Sequence, residues 1–304
     1  MTLDLVQLRT FVAVAEEQHL TRAAERIHIS QSAASAHVRA VEELLRTQLF
    51  VRTNKGLELT QTGQLLFHKA KALLNEATHF TSYARELRGE VEGQLVVSSG
   101  GDPFSSRIGH IVAELIAQHP LIHVNLHSRP SLGTRQGLKT GELDVGVLLD
   151  RPTDVSFNYY EISKVYFRVA GPSAWKDKIA SADFAALARL PWVTPDDNSM
   201  AYSAIQAQLF TEKGLELNSV VHFDNALLAR AMAQAGVGMV LMREDQALQC
   251  EAEGSLAISP LVRLEYQMCL VHLATRRNDP LVKAFIAAAE KVWPGMKSLA
   301  GPAV

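Results

Sequence analysis

From Ser30 to Arg39 the chain reads Ser-Gln-Ser-Ala-Ala-Ser-Ala-His-Val-Arg, a stretch dense in short side chains that donate and accept hydrogen bonds. Ser30 is a helix N-cap by type, and Ala34, Val38, Val41 and Leu45 follow at spacings that predict one inward stripe on a helix. The opposite face then carries Gln31, Ser32, Ser35, Ala36 and Arg39. Those residue types suit a duplex groove. Gln reads an adenine edge, Ala meets a thymine methyl, Ser donates to phosphate oxygens and Arg neutralises them. Taken alone, the same pattern also describes an amphipathic core helix.

The flanking elements decide how that face is presented. Leu5, Leu8, Phe11, Val12 and Ala15 recur three and four apart and predict a first packing helix. Thr21 is the expected N-cap of a short second helix, in which Ala23 and Ala24 let a neighbour approach closely. Only His28 and Ile29 separate that helix from Ser30, so the two must cross steeply, as in a helix-turn-helix. Next, Leu49 to Arg52 and Leu57 to Leu59 read as two short strands around Asn54-Lys55-Gly56, a basic wing to which Arg52 and Lys55 add phosphate-directed charge. Residues 60–88 contain no Pro and carry Leu65, Leu66, Ala70, Leu73, Leu74, Ala77 and Phe80 as one apolar stripe. A helix that long asks for a partner helix, and Leu66, Leu73 and Phe80 are the expected dimer seam.

From Gln94 onward strand and helix signals alternate: LVVSS, IHVNLHS and LDVGVLL with helices between, then a second alternation from PWVTP through SVVHF to GMVLM. This predicts an α/β body of two lobes joined by crossing strands, with a ligand cleft at the carboxyl ends of the strands. No GxSxG, HExxH, GxxxxGK[ST] or GxGxxG occurs, and Pro120 prevents His119, His123 and His127 from sharing a helical face. No cofactor, metal or catalytic residue is therefore expected, and the chain reads as a non-enzyme. The 304 residues, 47% of them hydrophobic, amount to about two to three average domains and exclude a disordered chain. Net charge is only −2, and the head shows no large basic excess: residues 1–90 hold 11 basic and 10 acidic side chains. Placement of charge, not its total, must carry any DNA binding. Cys250 and Cys269, far apart and outside any CxxC, argue against a disulfide framework; Cys269 in the apolar run MCLVHL is expected to be a buried, inert thiol, and Cys250 to follow a helix rich in acids, where a thiolate is disfavoured. Acids at the N-terminus and the lack of an 18-residue apolar run predict a cytoplasmic protein with no membrane partner.

The motifs LxxFxxVAE (Leu8 to Glu16), TRAAERIHISQSAxS (Thr21 to Ser35), VExxL (Val41 to Leu45), LFxR (Leu49 to Arg52) and LTxTG (Leu59 to Gly63) resemble the head of a LysR-type transcriptional regulator. QHPLIHVNL, GELDVGVL and AQAGVGMVL resemble the effector domain of that family in the same order. The resemblance implies an N-terminal all-α winged helix-turn-helix (residues 1–60), a long linker and dimerisation helix (61–93) and an α/β effector domain (94–304). That domain is of two Rossmann-like lobes, periplasmic-binding-protein-like, with lobe I over about 94–163 plus 269–304 and lobe II over about 164–268. It further implies double-stranded DNA with a partly palindromic operator, a homodimer through the linker helix, a homotetramer, contact with RNA polymerase and a small-molecule effector. Gln31, Ser32, Ser35, Ala36, Arg39, Arg52 and Lys55 match the DNA-contacting positions. Ala36 stands where the family commonly has Arg, and Arg46 where it usually has Gly after the recognition helix, an exchange costing on the order of 1 kcal/mol if the cap is left-handed.

For the effector, the resemblance points to Asp102 and Ser131; Ser99 beside the first, Ser199 in the loop facing them from the second lobe, and Phe223 and Asn225 at the end of a lobe II strand complete the candidate set. Asp102 before Pro103 equally suits an ordinary helix start, and Asp224 reads as an N-cap. Asp102, Asp196 and Asp197 predict a neutral or cationic effector, or one whose carboxylate is held by Arg129 or Arg135. Two other readings remain at this stage, an effector-independent DNA-binding protein and an enzyme with an appended DNA-binding head.

Overall fold

The computed structural model describes residues 2–53, 56–86, 91–100, 103–149, 154–196 and 201–299. They form two compact units, Met1–Gly93 with Gly137–Leu143, and Gln94–Gln136 with Asp144–Val304.

The head begins with α1 (Leu5–Glu17), α2 (Leu20–Arg26) and α3 (Gln31–Leu45). Asp4 caps α1 by accepting from Val6 N, and Ser30 caps α3 by accepting from Ala33 N at 3.1 Å. The cap of α2 is His19, not Thr21: the ring accepts from Thr21 N at 3.2 Å. Leu8, Phe11, Val12, Ala23, Val38 and Val41 are buried in one core with Leu49 and Phe50, whose ring meets Phe11 edge-on at 5.6 Å. Leu5 and Leu45, expected to face inward, are exposed because they sit at helix ends beyond the core.

Strands β1 (Phe50–Thr53) and β2 (Gly56–Leu59) pair antiparallel, Phe50 with Leu59 and Arg52 with Leu57. Asn54 and Lys55 lie outside the described residues. A carboxylate missed in the sequence fastens this hairpin: Glu42 on α3 accepts from Leu49 N at 2.7 Å and Phe50 N at 3.3 Å. The long helix α4 (Gln61–Glu86), about 39 Å at 1.5 Å per residue, starts at Thr60, whose hydroxyl accepts from Gly63 N at 2.9 Å. Gly63 must be glycine because a Cβ there would collide with the Leu49 carbonyl.

After α4 the chain forms β3 (Gly93–Ser99), α5 (Pro103–Ser106), α6 (Ile108–Gln118), β4 (Ile122–His127), α7 (Ser131–Thr140) and β5 (Val145–Leu149) in sequence. The helix expected from Ser105 to Gln118 is broken at Arg107, whose left-handed backbone (φ 50°) ends α5. Strand β6 (Phe157–Pro172) follows, then α8 (Lys176–Ser181), α9 (Phe184–Arg189), β7 (Pro191–Pro195), α10 (Ala201–Leu209), β8 (Asn218–Phe223) and α11 (Ala226–Gln234). The chain closes with β9 (Val240–Arg243), α12 (Glu244–Ala252), β10 (Leu256–Ile258), β11 (Leu264–Leu273), α13 (Pro280–Val292) and β12 (Lys297–Leu299).

Strand β6 is one strand of 16 residues. Its first part, Phe157–Glu161, pairs with Cys269–Leu273 of β11 and with β12, while its last part pairs with β9 and β10. The register between β6 and β11 shifts between Met268 and Cys269. In the larger sheet β3 runs parallel to β5 whereas β11 is antiparallel to both β5 and β6, so that sheet is mixed; β7 and β8 pair parallel in a separate two-stranded sheet. Two α/β lobes share the crossing strands β6 and β11. A buried ion pair, Arg276 with Asp144 and Asp279, fixes lobe I, where Asp144 also accepts from Val96 N.

Candidate functional site

Two surfaces collect the candidate residues. On the head, burial of Ala34, Val38 and Val41 turns the other face of α3 outward: Gln31, Ser32, Ala36 and Arg39 are exposed and Ser35 is half-buried. Arg52 is exposed on β1, and Lys55 lies outside the described residues. Helix α3 ends at Arg46 in the left-handed conformation (φ 50°, ψ 40°) with its side chain exposed, so this chain does carry an arginine where glycine would be strain-free.

Several nearby side chains are already committed. Arg26 pairs with Glu16 and Glu17, and Arg22 donates to the Glu17 carbonyl at 2.8 Å, so both arginines hold α2 against α1. Burial pushes the Glu16 carboxyl up, but the hydrogen bonds from Arg26 and Lys71 outweigh it and hold the group below the usual range. His37, one residue beyond Ala36, was not singled out by the sequence pattern. Its Nδ1 lies 2.9 Å from Thr10 Oγ1, and that hydroxyl gives its one proton to the Val6 carbonyl at 2.9 Å. The imidazole therefore donates from Nδ1, a bond that ties α3 to α1.

On α4 the expected stripe divides. Leu66 is partly buried against the head core with Phe67 and Leu74, so it does not belong to a free seam. Leu65, Leu73 and Phe80 are 67%, 50% and 76% exposed. The stripe is wider than one contact, and its inner edge serves the head.

The second surface is a cavity of about 610 Å³ between the lobes of the second unit. Lobe I supplies Gly100, Phe104, Arg129, Ser131, Val147 and Leu149. Lobe II supplies Tyr202, Asp224, Asn225, Leu227, Arg230, Arg243 and Asp245. Gly100 lets the loop after β4 come close, since a Cβ there would lie 2.6 Å from the Arg129 carbonyl oxygen.

Of the sequence candidates, Ser131 and Asn225 line this cavity. Asn225, rather than Asp224, caps α11, accepting from Leu227 N at 2.9 Å. Ser99 does not line it: buried at the end of β3, it is hydrogen-bonded to Ser106 at 3.2 Å. Phe223 does not either. It is buried in the lobe II core and supports Tyr202 edge-on at 6.3 Å from behind. Asp102 and Ser199 lie outside the described residues. Arg129 lines the cavity, whereas Arg135 is directed to the Tyr159 hydroxyl at 3.3 Å.

The residues sequence reasoning missed are Phe104, 89% exposed, and Leu227 and Arg230 on one face of α11. An aromatic at a helix start with no periodic partner was the legible hint for Phe104. Nothing marked Leu227 and Arg230, which sit three apart like any solvated pair. Arg243 is held on both sides, by Asp245 at 2.8 and 3.1 Å and by Ser105 of lobe I. Among the described residues no cluster of His, Cys, Asp or Glu could hold a metal ion, and no helix is long and apolar enough to cross a membrane. Both cysteines are buried, Cys250 inside α12 rather than after it, and burial pushes the Cys269 thiol up to about 12.

Two family descriptions match the chain: the bacterial regulatory helix-turn-helix protein of the lysR family over residues 5–64, and the LysR substrate binding domain over residues 88–294. Among its relatives, the uncharacterized HTH-type transcriptional regulator YfeR of Shigella flexneri is 28% identical, covering 96% of this chain and 93% of that protein. The HTH-type transcriptional regulator XapR of Escherichia coli strain K12 is 26% identical over 79% of this chain and 75% of its own. Similar solved structures include full-length CbnR complexed with target DNA, TM-score 0.64 at 21% identity, covering 95% of this chain and 99% of that one. A full-length OxyR variant from Pseudomonas aeruginosa has TM-score 0.69 at 20% identity and covers 99% of each. With both domains matched in order, the chain belongs to the LysR family of bacterial regulators and is a DNA-binding transcriptional regulator with an effector-binding domain.

Proposed function

We propose that this regulator reads a partly palindromic operator as a homodimer through Gln31, Ser32, Ser35, Ala36 and Arg39, with Arg52 and Lys55 of the wing on the phosphates. The observation that supports this most is the open face of α3: its inward side is buried, and what remains outward is a row of hydrogen-bonding side chains with one methyl and one guanidinium. One short helix covers few base pairs, so two heads on helically phased half-sites are needed for specificity. With Ala36 in place of a longer donor, the sequence preference draws more on DNA shape and bending.

In this reading residues 1–60 bind DNA, 61–93 form the dimer helix, and 94–304 take a small effector in the cleft beside Ser131 and Asn225. Effector binding then modulates activation or repression at the promoter. Assembly to a tetramer, contact with RNA polymerase and residence in the bacterial cytoplasm complete the proposal. The test is the salt dependence of operator binding. Arg39→Ala and Arg52→Ala should each flatten the slope of log K against log salt by about 1.8, since a dimer loses two phosphate contacts at about 0.9 each. An unchanged slope in both variants would remove this face from the interface.

A further inference from the structure

We propose that Arg46, at the corner where α3 turns toward the wing, is a further DNA contact of each head and binds a backbone phosphate rather than a base; this rests on the outward face of α3 being the DNA-reading face.

The backbone gives the first argument. Arg46 holds φ 50° and ψ 40°, a left-handed conformation that is unfavourable for a residue with a Cβ and open to glycine. The cap demands it, because Arg46 N donates to the Glu43 carbonyl at 3.2 Å and Thr47 N to the Glu42 carbonyl at 3.0 Å. Another arginine with a left-handed backbone, Arg107, has its guanidinium over the Trp293 ring at 4.3 Å. The Arg46 side chain is exposed and has no hydrogen bond, ion pair or ring contact with any described residue. No contact among the described residues accounts for an arginine here, and its guanidinium is available to a bound molecule.

Position identifies that molecule. Arg46 follows Ser35 by eleven residues, about three helical turns, so it ends the outward row of Ser32, Ser35 and Arg39. At about 1.5 Å per residue, Ser32 to Arg39 spans about 10 Å, close to the width of about 12 Å of a B-DNA major groove. Arg46 stands about 10 Å further along, past the groove, where the duplex offers its sugar-phosphate backbone. Glu43, exposed on the same row between the two arginines, repels phosphate, so backbone contacts on this side fall to Arg39 and Arg46. The corner is also held in place: Glu42 accepts Thr47 N on its carbonyl and Leu49 N and Phe50 N on its carboxylate, which joins the end of α3 to the start of β1. A guanidinium presented there suits phosphate oxygens. Such a contact is blind to sequence, so Arg46 adds affinity rather than base discrimination.

Fluorescence anisotropy of the full-length protein on two labelled duplexes, one A·T-rich and one G·C-rich, tests this across a salt series. Arg46→Gln should flatten the slope of log K against log salt by about 1.8, one phosphate contact of about 0.9 in each of two heads, and equally on both duplexes. Arg46→Gly should flatten it as much while raising the melting temperature, because glycine relieves the left-handed cap; weaker binding by that variant is then not a loss of fold. A parental slope in both variants, with Arg39→Ala flattening it, overturns the Arg46 contact and leaves the α3 face standing. A parental slope in Arg39→Ala and Arg52→Ala as well removes the whole face from the duplex, and the proposal with it. Flattening by Arg46→Gly alone assigns the effect to the backbone and overturns the contact, and flattening on one duplex alone overturns phosphate as its partner.

Discussion

Helix α4 offers a perturbation whose two halves have opposite outcomes. Leu65, Leu73 and Phe80 keep 67%, 50% and 76% of their surface exposed, whereas Leu66 packs with the head core. At roughly 1.5 to 3 kcal/mol for complete burial of such a side chain, covering what is left of Leu73 contributes about 1 kcal/mol. In a two-fold seam every contact occurs twice, so the loss is about 2 kcal/mol per dimer, or about a 30-fold weaker dimerisation constant. An aspartate forced into the seam from both sides weakens it further. Leu73→Asp should therefore shift sedimentation velocity profiles to monomer at micromolar concentration while the helical circular dichroism of the head stays intact. Leu66→Ala should do the reverse, lowering the melting temperature through a partly filled head core while the dimer persists. A dimer that survives Leu73→Asp, or one that dissociates with Leu66→Ala and not with Leu73→Asp, would refute α4 as the seam.

Two further outcomes follow from individual side chains. Glu42→Ala removes the acceptor of Leu49 N and Phe50 N and should cost about 1 to 3 kcal/mol of head stability in thermal melts; Glu42→Gln, which keeps one oxygen, should recover part of it, and equal stability of both variants with the parent would show the carboxylate is not the clasp. With its thiol pushed up to about 12 by burial, Cys269 should resist iodoacetamide in the native protein at pH 8 and react only after denaturation, which peptide mass spectrometry reads directly; fast native labelling would contradict its burial.

The head was legible because its signals are local. Ser30 as a cap, the inward Ala34, Val38 and Val41, and the hairpin around Gly56 each follow from spacing within a few residues. What failed there failed at helix ends, where Leu5 and Leu45 keep the period but have no core opposite them. His19 replaced Thr21 as a cap because an imidazole nitrogen is also a competent acceptor. The proposed effector site was legible only in outline. Ser131 and Asn225 sit at helix starts, which sequence marks well, but Ser99 and Phe223 end strands, where one residue of register turns a side chain from cleft to core. The tie between Arg243 and Asp245 was not legible, because it needs Asp245 to fold back onto the residue two before it.

A ligand changes this protein only through contacts that differ between two arrangements of its lobes. The cleft geometry restricts which contacts those are. Among the described residues the chain crosses between the lobes along β6 and β11, and β6 runs unbroken from Phe157 to Pro172. Any change of lobe angle must bend these strands together, and the point where their pairing is already irregular is the register shift between Met268 and Cys269. Across the mouth, Arg243 of lobe II reaches Ser105 of lobe I, a bond that weakens as the lobes separate. A ligand seated on lobe II alone would leave both features as they are and shift nothing. One that also touches Ser131 on lobe I gains its second contact only at one lobe spacing. If that contact contributes about 1.4 kcal/mol, the balance of the two arrangements moves about tenfold. Ser131→Ala should therefore shrink the effector-dependent change in operator affinity, and an unchanged effect would remove Ser131 from the coupling.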